Sequence, residues 1–444
     1  LKEKSNNKNL SLVKDINQAR IDSREVKKND IFFAIRGKRN DGNKYVSEAF
    51  KKKASAVVLN KIQKNFDNQK QILVNNSLSF LTNISKIFRK NIDTKIIAIT
   101  GSCGKTTLKE LLGDSLKKIS KVTISPKSFN NKYGVPLSLF NLSQNDNFGV
   151  LEVGMDKKGE IDYLSKIIQP DVSVITNINY AHAKNFKSIK DIALAKSEII
   201  DNTKSNGCVV LNADDDFFKL HREKALNKKL RVISFGIKNK KSDIKFVKIK
   251  KKNKFYEITI KQNNLRISFL TSNEFQNNIY NILSALSVMS IYLDISNLNR
   301  NIFLNFKTPY GRGDISILNV NNKKINLIDE SYNSNPLSLK SALVNYDKIN
   351  SKKAKKFLLL GDMLELGNHT KKLHQSIVPI INKTNIDKVY VKGKNVSKIF
   401  NKISKLKKGK ILNTKLQIIE LIKNGLNNRD YLMIKASNAT GFNK

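Results

Sequence analysis

One seven-residue stretch constrains the fold more than any other: Gly101-Ser102-Cys103-Gly104-Lys105-Thr106-Thr107 follows the β-branched run IIAIT and precedes the helical pattern LKELLGDSLKKI. A glycine loop between a buried strand and a helix turns backbone N–H groups inward, and the helix adds the positive end of its dipole. Such a cradle holds phosphate oxygens. Lys105 can reach the β- and γ-phosphates, and the Thr106 hydroxyl can face Mg²⁺. The longer GxxxxGK[ST] pattern calls for glycine at position 99, where this chain has Ile99, so the loop is the shorter GxxGKT form. It predicts a nucleotide-phosphate site without choosing among hydrolysis, phosphorylation of an alcohol and carboxylate activation.

The surroundings of the loop predict a doubly wound sheet. FGVLEVG, DVSVITNI, CVVLNAD and RVISFG read as buried strands, with helical stretches such as KSIKDIALAKSEIIDN between them. KFYEITI and LRISFL read instead as a small antiparallel pair, followed by a helix through NNIYNILSALSVMSIYL. Upstream, DIFFAIRG and ASAVVLN flank a turn and a helix over Tyr45 to Lys53, a small α/β unit. Downstream, KINLIDESY, KKFLLLG, KVYVKG and DYLMIKAS read as strands of another open α/β sheet. Three modules are expected: 1–93, 94–305 and 306–444. A length of 444 residues is too great for one compact core.

The formal net charge of +45 raises nucleic-acid binding as a reading. Lysine, however, is spread along the whole chain beside asparagine and isoleucine, as in KKKNKF and NKISKLKKGK, residue types that share adenine- and thymine-rich codons. No arginine-rich tail or basic aromatic platform stands out. The charge therefore reads as compositional drift, with no specific nucleic-acid partner, although a positive surface attracts phosphorylated and carboxylated small molecules. Two cysteines imply no disulfide framework, and no apolar run reaches the ~18 residues of a membrane span. A cytoplasmic monomer without membrane insertion is the expectation.

Several residues can complete a metal and nucleotide site. Glu152 in LEVGMD and His182 in NYAHAKNF follow predicted strands, at the end where open α/β sheets bind ligands. Both can ligate Mg²⁺ or Mn²⁺, although a helix-cap or core role is open for His182. Lys196 in ALAKSEII reads on composition as a solvated lysine. Asn278 and Asn281 sit three apart on one helix, placed to read a base edge or to bond a loop. Arg312 in TPYGRGD can close over a transferring phosphoryl group, and Asp329 can accept from a ribose hydroxyl. These last roles need the third module to fold over the second.

Taken together, DSREVKKNDIFFAIRG, TGSCGKTT, SFNNKYGVP, LEVGM, NINYAHAKNF, ALAKSEI, NADDD, NNIYNILSA, YGRG, DESYNSNPLS, GDMLELG and IKAS resemble the Mur ligases over essentially the whole chain. YNSNP with GDMLELG resembles the branch that adds D-alanyl-D-alanine to UDP-N-acetylmuramoyl-tripeptide. Its neighbour, which adds the third amino acid, carries Arg after Asn-Pro where this chain has Leu337. The resemblance implies a three-domain α/β ligase: a small N-terminal UDP-sugar-binding domain, a central P-loop domain with a mostly parallel sheet, and a C-terminal Rossmann-like domain. It implies ATP and two Mg²⁺ ions, and an acyl phosphate attacked by an amine.

The resemblance also assigns roles. Asp22, Ser23 and Arg24 would bind the UDP-sugar, and Asn130 and Asn131 would face the substrate. Gly101 to Thr107 with Asn278, Asn281, Arg312 and Asp329 would surround ATP. Thr106 and Glu152 would serve the first metal. His182 and Lys196, the latter as a carbamate, would serve the second. Lys105, His182, Lys196 and Arg312 would carry the chemistry, while Asn333, Asn335 and Pro336 would shape the cleft for the incoming amine, with His374 a weaker candidate nearby. The chain departs from relatives at Phe275 and Asn277, where they carry the Gly and His of GxHN, and at Ala436 and Asn438 in place of KGSR. Competing readings are another Mur ligase or the related ligase that adds glutamate to folates. Outside that class stand a nucleotide-gated nucleic-acid binder and a scaffold that has lost its chemistry.

Overall fold

The computed structural model describes residues 16–37, 40–351 and 354–442. Three sheets follow one another along the chain. The first is parallel, in the order β1 (Ala19–Arg20), β2 (Ile31–Phe33), β3 (Ala56–Leu59) and β4 (Gln71–Leu73). The apolar side chains of IFF and AVVL are buried on both faces, as a parallel sheet requires.

The second sheet contains β5 (Lys95–Thr100), β6 (Val122–Ile124), β7 (Phe148–Glu152), β8 (Val172–Ile175), β9 (Cys208–Asn212), β10 (Arg231–Gly236), β11 (Ile244–Lys252), β12 (Phe255–Gln262) and β13 (Leu265–Thr271). Their spatial order is β13-β12-β11-β10-β9-β8-β5-β7-β6. Strands β5 to β11 pair in parallel, and β11, β12 and β13 form an antiparallel extension. The expected antiparallel pair is therefore three strands; lysine at five of the nine positions of IKFVKIKKK hid the first of them. The chain leaves β5 toward β6 and β7 on one side and then crosses to β8 on the other, so the end of β5 is a topological switch point. Two apolar layers, one around Leu108, Leu112, Ile282 and Leu286 and one around Leu164, Ile192 and Ile199, cover its faces.

The third sheet has β14 (Asp314–Val320), β15 (Lys323–Glu330), β16 (Lys356–Gly361), β17 (Lys388–Lys392), β18 (Lys408–Ile411) and β19 (Tyr431–Lys435), in the order β14-β15-β19-β16-β17-β18. Only β14 runs antiparallel to its neighbour. Among the described residues no helix is long and apolar enough to cross a membrane.

One cation ties the first module to the base of the central sheet. Helix Ser77–Lys90 packs Phe80, Leu81 and Ile84 on the first sheet. At its end Arg89, 2% exposed, donates to the carbonyls of Ile168 and Gln169 and to the Asp171 carboxylate at 2.7 Å. Asp171 also accepts from the backbone N–H of Ile96, at the base of β5. Removing the guanidinium leaves buried carbonyls of Ile168, Gln169 and Thr94 without their donor, while Asp171 keeps Lys204 at 3.2 Å and the Ile96 N–H. Arg89→Ala should therefore lower the stability of the central-domain unfolding transition by about 1–3 kcal/mol, read by urea denaturation.

Candidate active site

The phosphate loop is stitched to the segment after β8. Gly101 has φ 144°, and a Cβ there would lie 1.9 Å from the Thr176 hydroxyl oxygen, so only glycine fits. That hydroxyl donates to the Cys103 carbonyl at 2.6 Å, and Ser102 Oγ donates to the Asn179 carbonyl at 2.8 Å. The N–H groups of Ser102 and Cys103 are taken by the Asn177 carbonyl and side-chain oxygen. Phosphate-facing donors therefore fall to the start of helix Lys105–Lys117, whose first N–H groups have no intrahelical acceptor. Lys105 Nζ folds back on the Gly101 carbonyl at 2.9 Å. Burial lowers its pKa, Glu152 opposes the shift, and Arg312 adds to it.

At the end of β7, Glu152 is 2% exposed and holds two partners. Thr106 Oγ1 donates to one carboxylate oxygen at 2.6 Å, and Asn130 Nδ2 donates to the other at 2.7 Å. Asn131 has a structural task instead: its side-chain oxygen accepts the N–H groups of Tyr133 and Gly134 at 3.0 Å. Lys196, expected as a solvated lysine on composition, is 1% exposed. Its helix, Ile189–Asp201, starts at a Ser188–Asp191 capping box, which sets the register that turns Lys196 inward. Burial pushes its amine well below the usual lysine range and repulsion from Lys105 adds to this, while Cys103 and Glu152 oppose it.

His182 stands apart from this group. It adopts φ 55°, and its Nδ1 lies 2.6 Å from Glu365 and 3.6 Å from Asp156, without the in-plane alignment of a hydrogen bond to either. The imidazole and Lys184 lower the pKa of Glu365. Glu365 belongs to the third module, so this cluster spans a domain boundary. Asp156, His182 and Glu365 carry ligand atoms within 4.8 Å of one another.

Other third-module residues also reach the loop. Asn335 caps helix Pro336–Lys348, with Pro336 in its first turn, and its amide contacts Cys103 Sγ at 3.1 Å. Burial pushes the Cys103 thiol pKa up. Arg312 stacks on Tyr332 with 4.1 Å to the ring centre and reaches Ser128 Oγ at 3.4 Å, and the Tyr332 hydroxyl donates to the same oxygen at 2.7 Å. Asp329 accepts the Ser331 N–H and raises the pKa of Tyr310. The Asn333 side chain bonds the N–H of Ser334, while its carbonyl accepts from Lys435. Both ring nitrogens of His374 are engaged by backbone, the Met363 N–H and the Thr370 carbonyl, which is a structural role.

A narrow crevice lined by Thr107, Asn278, Asn281, Arg312, Glu330 and Tyr346 continues from the loop between the second and third modules. Asn278 donates to Thr271 Oγ1 at 2.8 Å, and Asn281 Oδ1 would lie 3.3 Å from a Cβ on Gly104. Beyond Ser128, a cleft of about 520 Å³ lies between the first and second modules and is lined by Arg24, Lys127 and Phe129. There Arg24 forks onto Asp22, and the Ser23 hydroxyl donates to Glu48 at 2.6 Å. Sequence reasoning missed Asp156, Glu365, Ser128, Tyr332 and Lys435, although each lies inside or beside a quoted motif.

Profiles of the Mur ligase middle domain, the Mur ligase glutamate ligase domain and the Mur ligase family catalytic domain match residues 99–289, 317–438 and 15–88. A UDP-N-acetylmuramoyl-tripeptide–D-alanyl-D-alanine ligase of Rickettsia prowazekii is 33% identical over 405 residues, 88% of this chain and 86% of that one. A crystal structure of MurF from Acinetobacter baumannii superposes with a TM-score of 0.82 at 25% identity, covering 96% of this chain and 92% of the other. The MurF ligase of Thermotoga maritima in complex with ADP gives 0.80 at 26% identity, covering 97% and 96%. With the switch-point loop, the three α/β modules and these matches in agreement, the chain belongs to the Mur ligase family.

Proposed function

We propose that the chain is an ATP-dependent amide ligase that joins D-alanyl-D-alanine to UDP-N-acetylmuramoyl-tripeptide through an acyl phosphate, yielding the UDP-N-acetylmuramoyl-pentapeptide. The observation that carries this reading is the convergence of Lys105, the Thr106–Glu152 pair and Arg312 at one loop, in a chain whose relatives bear that activity in their names. A peptide carboxylate is a poor electrophile until its oxygen is phosphorylated. In this reading the helix N-terminus and Lys105 hold the β- and γ-phosphates, and Arg312 neutralises charge on the phosphoryl group in flight. The amine then attacks the acyl carbon and phosphate leaves. Asn333, Asn335 and Pro336 border the approach of that amine, and Asp22, Ser23 and Arg24 lie toward the UDP end. Asn278, Asn281 and Asp329 would hold the nucleoside.

Thr106 and Glu152 fit a hard divalent cation, since a hydroxyl and a carboxylate oxygen already meet at 2.6 Å. When bound there, Mg²⁺ would supply charge neutralisation to the phosphates. A carbamylated Lys196 would hold a second ion; His182, expected beside it, faces Asp156 and Glu365 in this structure. The depressed pKa of Lys196 supports the carbamate, because only the neutral amine attacks CO₂.

Phosphate release from ATP should require both UDP-N-acetylmuramoyl-tripeptide and D-alanyl-D-alanine, with the joined pentapeptide seen by mass spectrometry. Absence of turnover with tripeptides ending in either lysine or meso-diaminopimelate would sink the substrate assignment. Lys105→Ala should reduce turnover by about 10²–10³-fold with the fold intact by circular dichroism. For Lys196 the sign is set by the lowered pKa: the reactive neutral amine is present above that pKa and is lost as pH falls through it. At fixed dissolved CO₂, activity should therefore rise with pH through that window, and CO₂-free enzyme should regain activity on adding bicarbonate. Activity indifferent to bicarbonate would remove the carbamate.

A further inference from the structure

Two polar contacts between the third module and the phosphate-loop module come from residues 331–335. The Tyr332 hydroxyl donates to Ser128 Oγ at 2.7 Å, and Asn335 touches Cys103 Sγ at 3.1 Å. Ser128 and Cys103 belong to the central module, so both contacts exist only while the two are docked. Behind the segment, Lys435 is 1% exposed and donates to the Asn333 carbonyl at 2.8 Å and to Glu330 at 3.0 Å. The tyrosine is thus presented from a pinned backbone.

Arg312 is held differently. It forms no ion pair among the described residues, which leaves its charge available to a phosphoryl group. A long arginine side chain without a carboxylate partner has many rotamers to lose. What restrains it is the Tyr332 ring, 4.1 Å beneath the guanidinium, and a long 3.4 Å contact to the same Ser128 oxygen that receives the tyrosine hydroxyl. One hydroxyl in the central module therefore fixes both the ring and the cation stacked on it.

We propose that Tyr332 is a positioning residue that links domain docking to the placement of Arg312, and that its bond to Ser128 decides whether ATP consumption ends in amide or in hydrolysis. The proposal rests on the ligase reading above. An undocked third module admits water to the acyl phosphate. Water then adds at the acyl carbon, phosphate leaves with the bonding electrons, and the peptide carboxylate is restored with one ATP spent and no amide made. Tyr332 does not touch the reacting atoms in this account; it acts through Arg312 and through closure.

The test is the ratio of inorganic phosphate to amide formed, measured with ATP, UDP-N-acetylmuramoyl-tripeptide and D-alanyl-D-alanine. The wild type should give nearly equal amounts, with a small excess of phosphate. Ser128→Ala and Tyr332→Phe, which both break the hydroxyl bond and keep the ring, should raise that excess, relative to amide, roughly 3- to 10-fold, the range of one lost hydrogen bond. The double variant should match Ser128→Ala, which already removes the tyrosine bond together with the long contact to Arg312. Tyr332→Leu, which also removes the ring, should lower kcat further than Tyr332→Phe. A merely structural role would lower both products together and leave the relative excess of phosphate unchanged. An unchanged excess in both Ser128→Ala and Tyr332→Phe, or single effects that multiply in the double variant, would overturn the proposal. A wild type that consumes ATP and forms no amide would instead overturn the ligase reading.

Discussion

The active-site geometry depends on how the turn after β5 is held. The N–H groups of Ser102 and Cys103, the Ser102 hydroxyl and the Cys103 carbonyl are occupied by Thr176, Asn177 and Asn179, so the loop has one shape before any nucleotide arrives. This tether exists because β8 lies beside β5 although the chain visits β6 and β7 first. The same crossover places Glu152, at the end of the other neighbour, against Thr106. It also brings the helix that follows β8 close enough for Lys196 to feel the charges of Lys105 and Glu152. The tethered loop, the Thr106–Glu152 pair and the buried amine are thus consequences of one strand order.

The two flanking modules are attached by different physics. The first shares an apolar cluster with the central one, where Leu137, Phe129 and Phe140 pack among its own core residues, and Arg89 locks the base. The third meets the loop mainly through polar pairs: Cys103 with Asn335, Ser128 with Tyr332, and His182 with Glu365, with Tyr180 against His369 as an aromatic contact. Polar pairs exchange for water at small net cost, whereas apolar burial does not. A rigid first joint and an exchangeable second one suit a protein that must admit three substrates and then exclude solvent.

The three-module α/β fold and the loop were legible because buried parallel strands are unbroken apolar runs, and IIAIT, CVVLN and KFLLLG stand out against a lysine-rich background. Strands β1, β4 and β6 escaped because two or three residues carry no period. β14 escaped because it is an edge strand with Ile315 and Ile317 exposed. At the site, the burial of Lys196 was invisible to composition: ALAKSEII places a lysine among apolar residues, and only the packed helix shows which way it points. The Asp156–His182–Glu365 cluster joins residues far apart in the chain, which no local pattern encodes. Of the departures from family motifs, Asn277 accepts a hydrogen bond from Asn345 across the modules and Ala436 is fully buried.

The buried cations bear on how this chain can change over generations. Lys109 binds the carbonyls of Ser125 and Lys127, just ahead of Ser128, and Lys435 binds Glu330. Lys196 is buried too, and Lys356 binds the carbonyls of Tyr346 and Asp347; in such dry surroundings arginine is not an equivalent replacement. The remaining lysines are overwhelmingly solvated, and nothing in the packing distinguishes them from other polar residues. A change at a solvated lysine therefore alters only surface charge, whereas a change at Lys109, Lys196, Lys356 or Lys435 alters the packing of the interior.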